Sequence, residues 1–174
     1  MSELTTDTAK LVAKCFDRFE HYLGGIEDII KTYYGLVTDR DAILERFTER
    51  NCAGPDPIAV GEMIDEIFAT TAKMNVIEVN FTDLVTNFTE QFQEASLKDA
   101  IDRLGRFIEN PQSPKELQTV CSDARAKLMA TEIRMLGLIA IVLEGLVHHR
   151  KENNLAVAKA TTILNKLRSD IVVH

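Results

Sequence analysis

The sequence lacks tryptophan, and it is poor in the residues that interrupt helices, with four prolines and eight glycines in 174 residues. No stretch is rich in glycine, serine or proline, so the sequence shows no interdomain linker. A chain of this length fits one ordinary domain that buries a sizeable core without disulfides or metal. We therefore expect a single domain over residues 1–174.

Cysteine is also scarce, and none of the three thiols lies in a Cys-x-x-Cys pair. This usage is typical of a reducing compartment, where an isolated thiol acts as a small apolar residue. The first ten residues lack the basic start and apolar core of a secretory signal. The most apolar stretch, residues 135–143, is much shorter than the roughly 20 residues that span a bilayer. We expect a cytoplasmic protein that does not associate with membranes.

Basic residues are outnumbered by acidic ones, which gives a net charge of −7. An acidic chain has little nonspecific affinity for nucleic acid, so we expect no such partner. The charge is uneven, because residues 147–174 carry +3 and the remainder carries −10. The basic end is either a solvated helical face or a surface that docks on an acidic partner, such as a second copy of the chain.

The sequence does contain many signals for the start and the end of a helix. A hydroxyl residue precedes an acid by three residues, the spacing of a capping box, at Thr38, Ser96 and Ser113. Proline stands at a first helical position at Pro57 and Pro114. Signals for a helix end occur at Gly35, Gly54 and Asn110-Pro111.

Between these signals, apolar residues recur at steps of three and four, which predicts an all-α, single-domain bundle of about six helices. The predicted helices cover residues 7–34, 39–51, 57 onward, 97–109, 114–149 and 155–172. Residues 75–80 are a break or a strained continuation, because Val76-Ile77-Glu78-Val79 favours a strand locally. The short connection at residues 150–154 predicts that the last two helices form a long C-terminal antiparallel hairpin. We expect helix in more than about 65% of the chain.

The fifth predicted helix, residues 114–149, is roughly 54 Å long if it is straight. A compact domain of this size is only about 40 Å across, so this helix either breaks near residues 131–137 or protrudes. Residues 135–143 are apolar on every side, which predicts that protein surrounds them and that Leu138, Ile139 and Val142 are buried. A second copy is the simplest cover for a protruding apolar helix, and we expect a homodimer with two-fold symmetry.

Eight phenylalanines supply most of the aromatic content. The motif Asn80-Phe81-Thr82-Asp83 recurs seven residues later as Asn87-Phe88-Thr89-Glu90, which places Phe81 and Phe88 on one face with Phe92 close by. This seam is an ordinary core contact, a groove for an apolar ligand or a contact between subunits.

The segment Glu62-Met63-Ile64-Asp65-Glu66 places Glu62 and Asp65 one helical turn apart, where they are able to share Mg²⁺. This Glu-x-x-Asp resembles the second acidic motif of the all-α MazG-type nucleotide pyrophosphohydrolases. The resemblance implies a metal-dependent nucleotide hydrolase in which these two residues bind the metal. That family also has a Glu-x-x-Glu on the preceding helix, whereas this sequence offers only Glu45 with Glu49, or Glu27 with Asp28.

Among the four histidines, only His148 has a partner at ligand-like spacing, because Glu144 lies four residues before it on the same helical face. A metal site in a helical protein needs three or four such groups from several helices. Alternatively, Glu144 pairs with a neighbour, and His148 and His149 are stabilised by the negative end of a helix. Glu62, Asp65, Glu144 and His148 are thus weak metal candidates, and we expect no cofactor.

No glycine-rich nucleophile elbow, phosphate-binding loop or dinucleotide fingerprint occurs. Basic residues do not alternate with aromatic ones, as they do in many nucleic-acid sites. We therefore predict a non-enzymatic helical protein-interaction module: an adaptor, small regulator, chaperone or inhibitor of another protein. The alternatives are a metal-dependent all-α nucleotide pyrophosphohydrolase and a helical bundle that binds an apolar small molecule.

Overall fold

A computed structural model describes residues 3–53 and 56–172 of the chain. The predicted helix end at Gly54 and the terminal His174 lie outside the described residues, as does the side chain of Cys52. Each described residue other than 56 and 110–114 is helical, and none of them lies in a strand. The prediction of an all-α fold with more than 65% helix is confirmed. The described helices include no segment that is long and apolar enough to cross a membrane.

The helices are fewer and longer than the sequence predicts. In chain order they are α1 (Glu3–Ala53), α2 (Pro57–Asn87), a π-helix (Phe88–Leu97), α3 (Lys98–Glu109) and α4 (Lys115–Val172). No loop separates α2, the π-helix and α3, so the described chain consists of three continuous helical segments. The prediction of about six helices is wrong.

The two interruptions occur where proline follows a polar residue. At the first, the N–H of Ile58 donates to the Asp56 carboxylate at 3.2 Å, so Asp56 caps a helix that begins at Pro57. At the second, Asn110 adopts an extended backbone before Pro111 and ends α3. Its side-chain oxygen accepts the N–H of Gln112 at 3.0 Å, which stabilises the turn that leads to α4.

The predicted starts at Thr38 and Ser96 are not starts, since no proline follows them and the helix continues. The Thr38 hydroxyl donates to the Tyr34 carbonyl oxygen at 3.0 Å, one turn earlier in α1, instead of accepting an N–H at a helix start. The Ser96 carbonyl oxygen accepts the thiol of the buried Cys15 at 3.7 Å. In both cases a hydroxyl residue is accommodated inside a helix.

The predicted C-terminal hairpin is also wrong, because residues 150–154 are an internal part of α4. Asparagine favours turns when its side chain bonds the neighbouring backbone. Here the Asn153 side chain is buried and accepts a hydrogen bond from Arg40 of α1 at 2.6 Å. Because that side chain is engaged with another helix, it does not compete with the helical backbone. Residues 75–80 and 131–137 are likewise helical throughout.

The chain forms two compact units. The first unit comprises residues 1–28 and 81–141. Its core combines aromatic, aliphatic and thiol side chains, among them Cys15, Phe19, Ile26, Phe81, Phe88, Phe92, Leu104, Leu128 and Met135. The second unit comprises residues 29–80 and 142–174. One cluster of its core is aliphatic around a single ring, with Ile43, Phe47, Val60, Met63, Ile64, Ile67, Ala156 and Ala160.

The apolar segment 135–143 is not buried on all sides within the chain. Ile139 is buried as predicted, whereas Leu138 and Val142 are only partly buried. Ile141 is exposed, and so is Leu136. The expectation that this chain surrounds the segment is wrong, and its exposed side chains are considered with the candidate site.

Candidate functional site

Glu62 and Asp65 lie on α2 in the second unit, and both are exposed. The neighbouring Glu66 forms a salt bridge with Arg46 at 2.8 Å. Among the described residues, Glu62 and Asp65 belong to no group of three metal-ligating side chains that converge within 4.8 Å. The structure therefore does not bring a third ligand to the pair that resembles the pyrophosphohydrolase motif.

Glu144 and His148 are both exposed on α4. However, His148 pairs with Glu152, on its C-terminal side, and not with Glu144, on its N-terminal side. Its Nε2 lies 3.3 Å from a carboxylate oxygen of Glu152, one turn toward the C-terminus. His149 Nδ1 lies 3.2 Å from the other oxygen of Glu152. Within the described part of the chain, His148, His149 and Glu152 are the one group of three potential metal ligands within 4.8 Å of one another.

Arg40 lies beside this group, close enough to affect the binding of a metal ion. Its Nη2 donates to the same Glu152 oxygen that faces His149, at 2.8 Å. A guanidinium this close repels a cation and satisfies part of the charge of the carboxylate. The arrangement suits a network of ion pairs and hydrogen bonds better than a metal centre.

The network around Arg40 is the most connected polar group described in the second unit. The side chain of Arg40 is 2% exposed. It donates two bonds to Asp41 Oδ1, at 2.9 and 3.0 Å, besides its bonds to Glu152 and Asn153. Burial raises the pKa of the Glu152 carboxyl, but the hydrogen bonds from His149 and Arg40 outweigh it and leave the pKa below its ordinary value. Burial raises the pKa of the nearby Tyr33 hydroxyl.

Sequence reasoning missed this network, because Glu152 and Asn153 fall in a predicted loop. Arg40 is separated from Asn153 by 113 positions, and no local spacing connects residues so far apart. The preference of buried arginine for several acceptors is general, but it does not indicate which acceptors are near. Only the packing of α1 against α4 within the second unit reveals the partners.

The phenylalanine seam is core. Phe81, Phe88 and Phe92 are fully buried in the first unit. The ring of Phe92 meets that of Phe19 edge to face at 4.8 Å, and the rings of Phe88 and Phe92 lie 5.3 Å apart. These separations are those of directly packed aromatic pairs. The rings of Phe19, Phe88 and Phe92 pack directly against one another. Of the three interpretations of the seam, the structure favours the ordinary core contact.

An exposed apolar row on α4 in the first unit is a better candidate for function. We call it the α4 stripe, and it consists of Met129, Ile133, Leu136 and Ala140. Its steps of four, three and four residues place all four side chains on one helical face. Ile133 is 69% exposed, whereas the adjacent face of the same helix buries Leu128 and Met135.

The spacing of the α4 stripe continues in the sequence. Leu143 and Val147, in the second unit, follow Ala140 at further steps of three and four, and both are exposed. Single exposed apolar residues are ordinary in proteins. A regular succession of them is unusual, and apolar surface of that kind marks contact sites. The sequence showed the apolar character of this helix but not the side on which it stays exposed.

No protein-family model matches this chain, and no curated protein or solved structure is significantly similar to it.

Proposed function

We propose that this chain is a non-enzymatic helical protein-interaction module and that the α4 stripe is its contact surface. The observation that carries the proposal is the exposure of Met129, Ile133 and Leu136 on one face of a continuous helix. An adaptor, a small regulator, a chaperone or an inhibitor of another protein would each act through such a surface.

The spacing of the stripe indicates the shape of its partner. Steps of four and three residues are those of the a and d positions of a coiled-coil seam, where each side chain inserts between four residues of a facing helix. Another helix with the same spacing is therefore the complementary surface. Burial of the stripe would remove apolar side chains from water, which favours association in proportion to the area buried.

A second copy of the chain meets these requirements without any other component. In a two-fold symmetric dimer the same surface patch serves both partners. If the two helices ran antiparallel about an axis near Leu136, the small Ala140 of one copy would lie opposite the larger Ile133 of the other. The occupant that we propose for the α4 stripe is thus the α4 stripe of a second copy.

The test is the mass in solution of the wild-type chain and two variants, measured by light scattering at micromolar concentration. We expect the wild type at roughly twice the 19.5 kDa of one chain, and Ile133→Asp at the mass of one chain, because a buried carboxylate opposes the contact. Val79→Asp is the matched control, since Val79 is 60% exposed on α2, outside the stripe. It should keep the dimer.

A monomeric wild type would contradict the homodimer. The module itself is tested by affinity capture from the source cell with the same three proteins. Because the second copy covers the stripe, such a protein would bind the dimer, and we expect one that the wild type and Val79→Asp retain and that the monomeric Ile133→Asp loses. Equal capture by all three proteins, or no capture together with a monomeric wild type, would refute the assignment of the α4 stripe.

A further inference from the structure

Helices α1, α3 and α4 line an apolar cavity of about 610 Å³ within the first unit. Its walls are aliphatic and aromatic, with Val12, Phe16, Leu104, Phe107, Leu117 and Val120 as the larger side chains. Pockets that hold small molecules in proteins measure about 300–1,000 Å³ and are mostly apolar. The cavity has the size and the chemistry of such a pocket, and it shares no residue with the phenylalanine seam or the α4 stripe.

A second, polar cleft of about 460 Å³ adjoins the cavity. Thr8 and Phe107 line both spaces, so the cavity and the cleft meet at these two side chains. The cleft adds four polar side chains of α3 and its C-terminal end, namely Asp99, Arg103, Arg106 and Asn110. An apolar space and a charged rim therefore lie side by side.

The charge of this rim is positive on balance. Arg103 is held by Asp99 one turn before it, with N–O distances of 3.1 and 3.2 Å, so these two charges compensate each other. Arg106 is exposed and forms none of the salt bridges found among the described residues. An exposed guanidinium that forms no salt bridge is able to bind a carboxylate through two parallel hydrogen bonds.

We infer that the cavity and the cleft together bind an amphipathic small molecule that has a hydrocarbon tail and one acidic headgroup, such as a fatty acid. The tail lies among Phe16, Leu104 and Leu117, and the headgroup lies in the cleft at Arg106. Removal of the tail from water supplies most of the affinity, and each buried methylene strengthens binding about fourfold. The charge of Arg106 selects the sign of the headgroup.

The test uses the full chain and titration calorimetry at low ionic strength, where an exposed charge pair is least screened. The probes are octanoate, decanoate, decan-1-ol and decyltrimethylammonium. We expect decanoate to bind about tenfold or more tightly than octanoate, because two methylenes are added. We expect decyltrimethylammonium to bind more weakly than decan-1-ol, and decan-1-ol more weakly than decanoate.

Two variants separate the roles of tail and headgroup. Arg106→Gln should weaken decanoate about three- to fivefold, the range of an exposed ion pair, and leave decan-1-ol unchanged. Lys98→Gln is its matched control, since Lys98 is exposed on the same helix but does not line the cleft. Ala124→Leu, which narrows the cavity, should weaken decanoate and decan-1-ol alike.

Absence of decanoate binding to the wild type would overturn the proposal. Equal binding of the three decyl probes, or equal loss in Arg106→Gln and Lys98→Gln, would overturn the assignment of an acidic headgroup. If Ala124→Leu loses its helical circular dichroism, Val120→Trp is the substitute, because Val120 lines the cavity but is largely exposed. Unchanged decanoate affinity in the folded variant would place the ligand elsewhere.

Discussion

Arg40 is the largest of the fully buried side chains described in this chain. Burial of a guanidinium is costly unless hydrogen bonds replace its water. Asp41, Glu152 and Asn153 supply that replacement, and two of them carry the opposite charge. Since Asp41 precedes Glu152 by more than a hundred positions, the network joins α1 to α4 inside the second unit.

We predict that Arg40→Ala lowers the free energy of unfolding by about 2–4 kcal/mol, because it leaves a buried amide and a carboxylate without their donor. Arg46→Ala is the matched control. Arg46 also lies on α1 and pairs with Glu66 at the same 2.8 Å, but its side chain is 54% exposed. Arg46→Ala should lower the free energy of unfolding by less than about 1 kcal/mol. Urea unfolding of both variants measures the difference, and equal effects would mean that the Arg40 network contributes no more than an exposed pair.

Glu152 makes the second unit sensitive to acid. Its pKa in the folded state is lowered, so the carboxylate contributes stability above the ordinary glutamate pKa of about 4.3. That contribution is lost as the pH falls through the lowered folded pKa. We predict that Glu152→Gln is less stable than the wild type at pH 7 and that the difference shrinks as the pH falls from about 5 to 3. A constant difference over that range would contradict the prediction.

At the scale of the helix, proline decides where the chain turns. Pro57 and the pair Pro111 and Pro114 coincide with the two interruptions, because proline lacks the N–H that continues a helix and restricts the residue before it. Capping residues without proline, Thr38 and Ser96, lie inside helical segments. A cap contributes on the order of 1 kcal/mol, which packing of a long apolar face exceeds.

Adjacent glycines in α1 offer a test of helix packing. A Cβ at Gly24 would meet nothing within 4 Å, whereas a Cβ at Gly25 would lie 2.7 Å from Leu84 Cδ1. Leu84 therefore approaches the backbone at Gly25 more closely than a side chain there would allow. We predict that Gly24→Ala raises the free energy of unfolding by about 0.5–1 kcal/mol, the propensity difference inside a helix.

Gly25→Ala should be about 1 kcal/mol less stable than Gly24→Ala, since the partly buried Leu84 side chain must shift away from the added Cβ. Chemical unfolding of the two variants side by side is the measurement. If both variants gain the same stability, Leu84 moves without cost, and α1 and α2 are not closely packed at Gly25.

At the scale of the whole molecule, the proposed dimer links folding stability to concentration. Association that requires the folded state stabilises it by mass action. We predict that the melting temperature of the wild type rises as its concentration increases from about 1 to 100 µM, and that the melting temperature of Ile133→Asp does not. Differential scanning calorimetry gives both values. A melting temperature of the wild type that is independent of concentration would argue against a dimer coupled to folding.

The sequence by itself determined the all-α class, the interruptions at the prolines and the common face of Phe81 and Phe88 with Phe92 close by. These features follow from local preferences and from a periodicity that is complete within one segment. The number of helices was not determined in this way. The weak local cap at Thr38 yields to the continuing helix, whose Tyr34 carbonyl oxygen accepts its hydroxyl, and the turn-forming Asn153 yields to Arg40 from another part of the chain.

Only the tertiary structure decided which side chains contact each other and which stay exposed. The partners of Arg40, the exposed side of α4 and the apolar cavity beside Arg106 each depend on residues that are distant in the sequence. The sequence shows that residues 135–143 are apolar, but the same pattern fits a helix covered by its own chain and one covered by a partner. Which of the two applies is set by how many neighbours the fold brings to that face, and no local pattern contains that information.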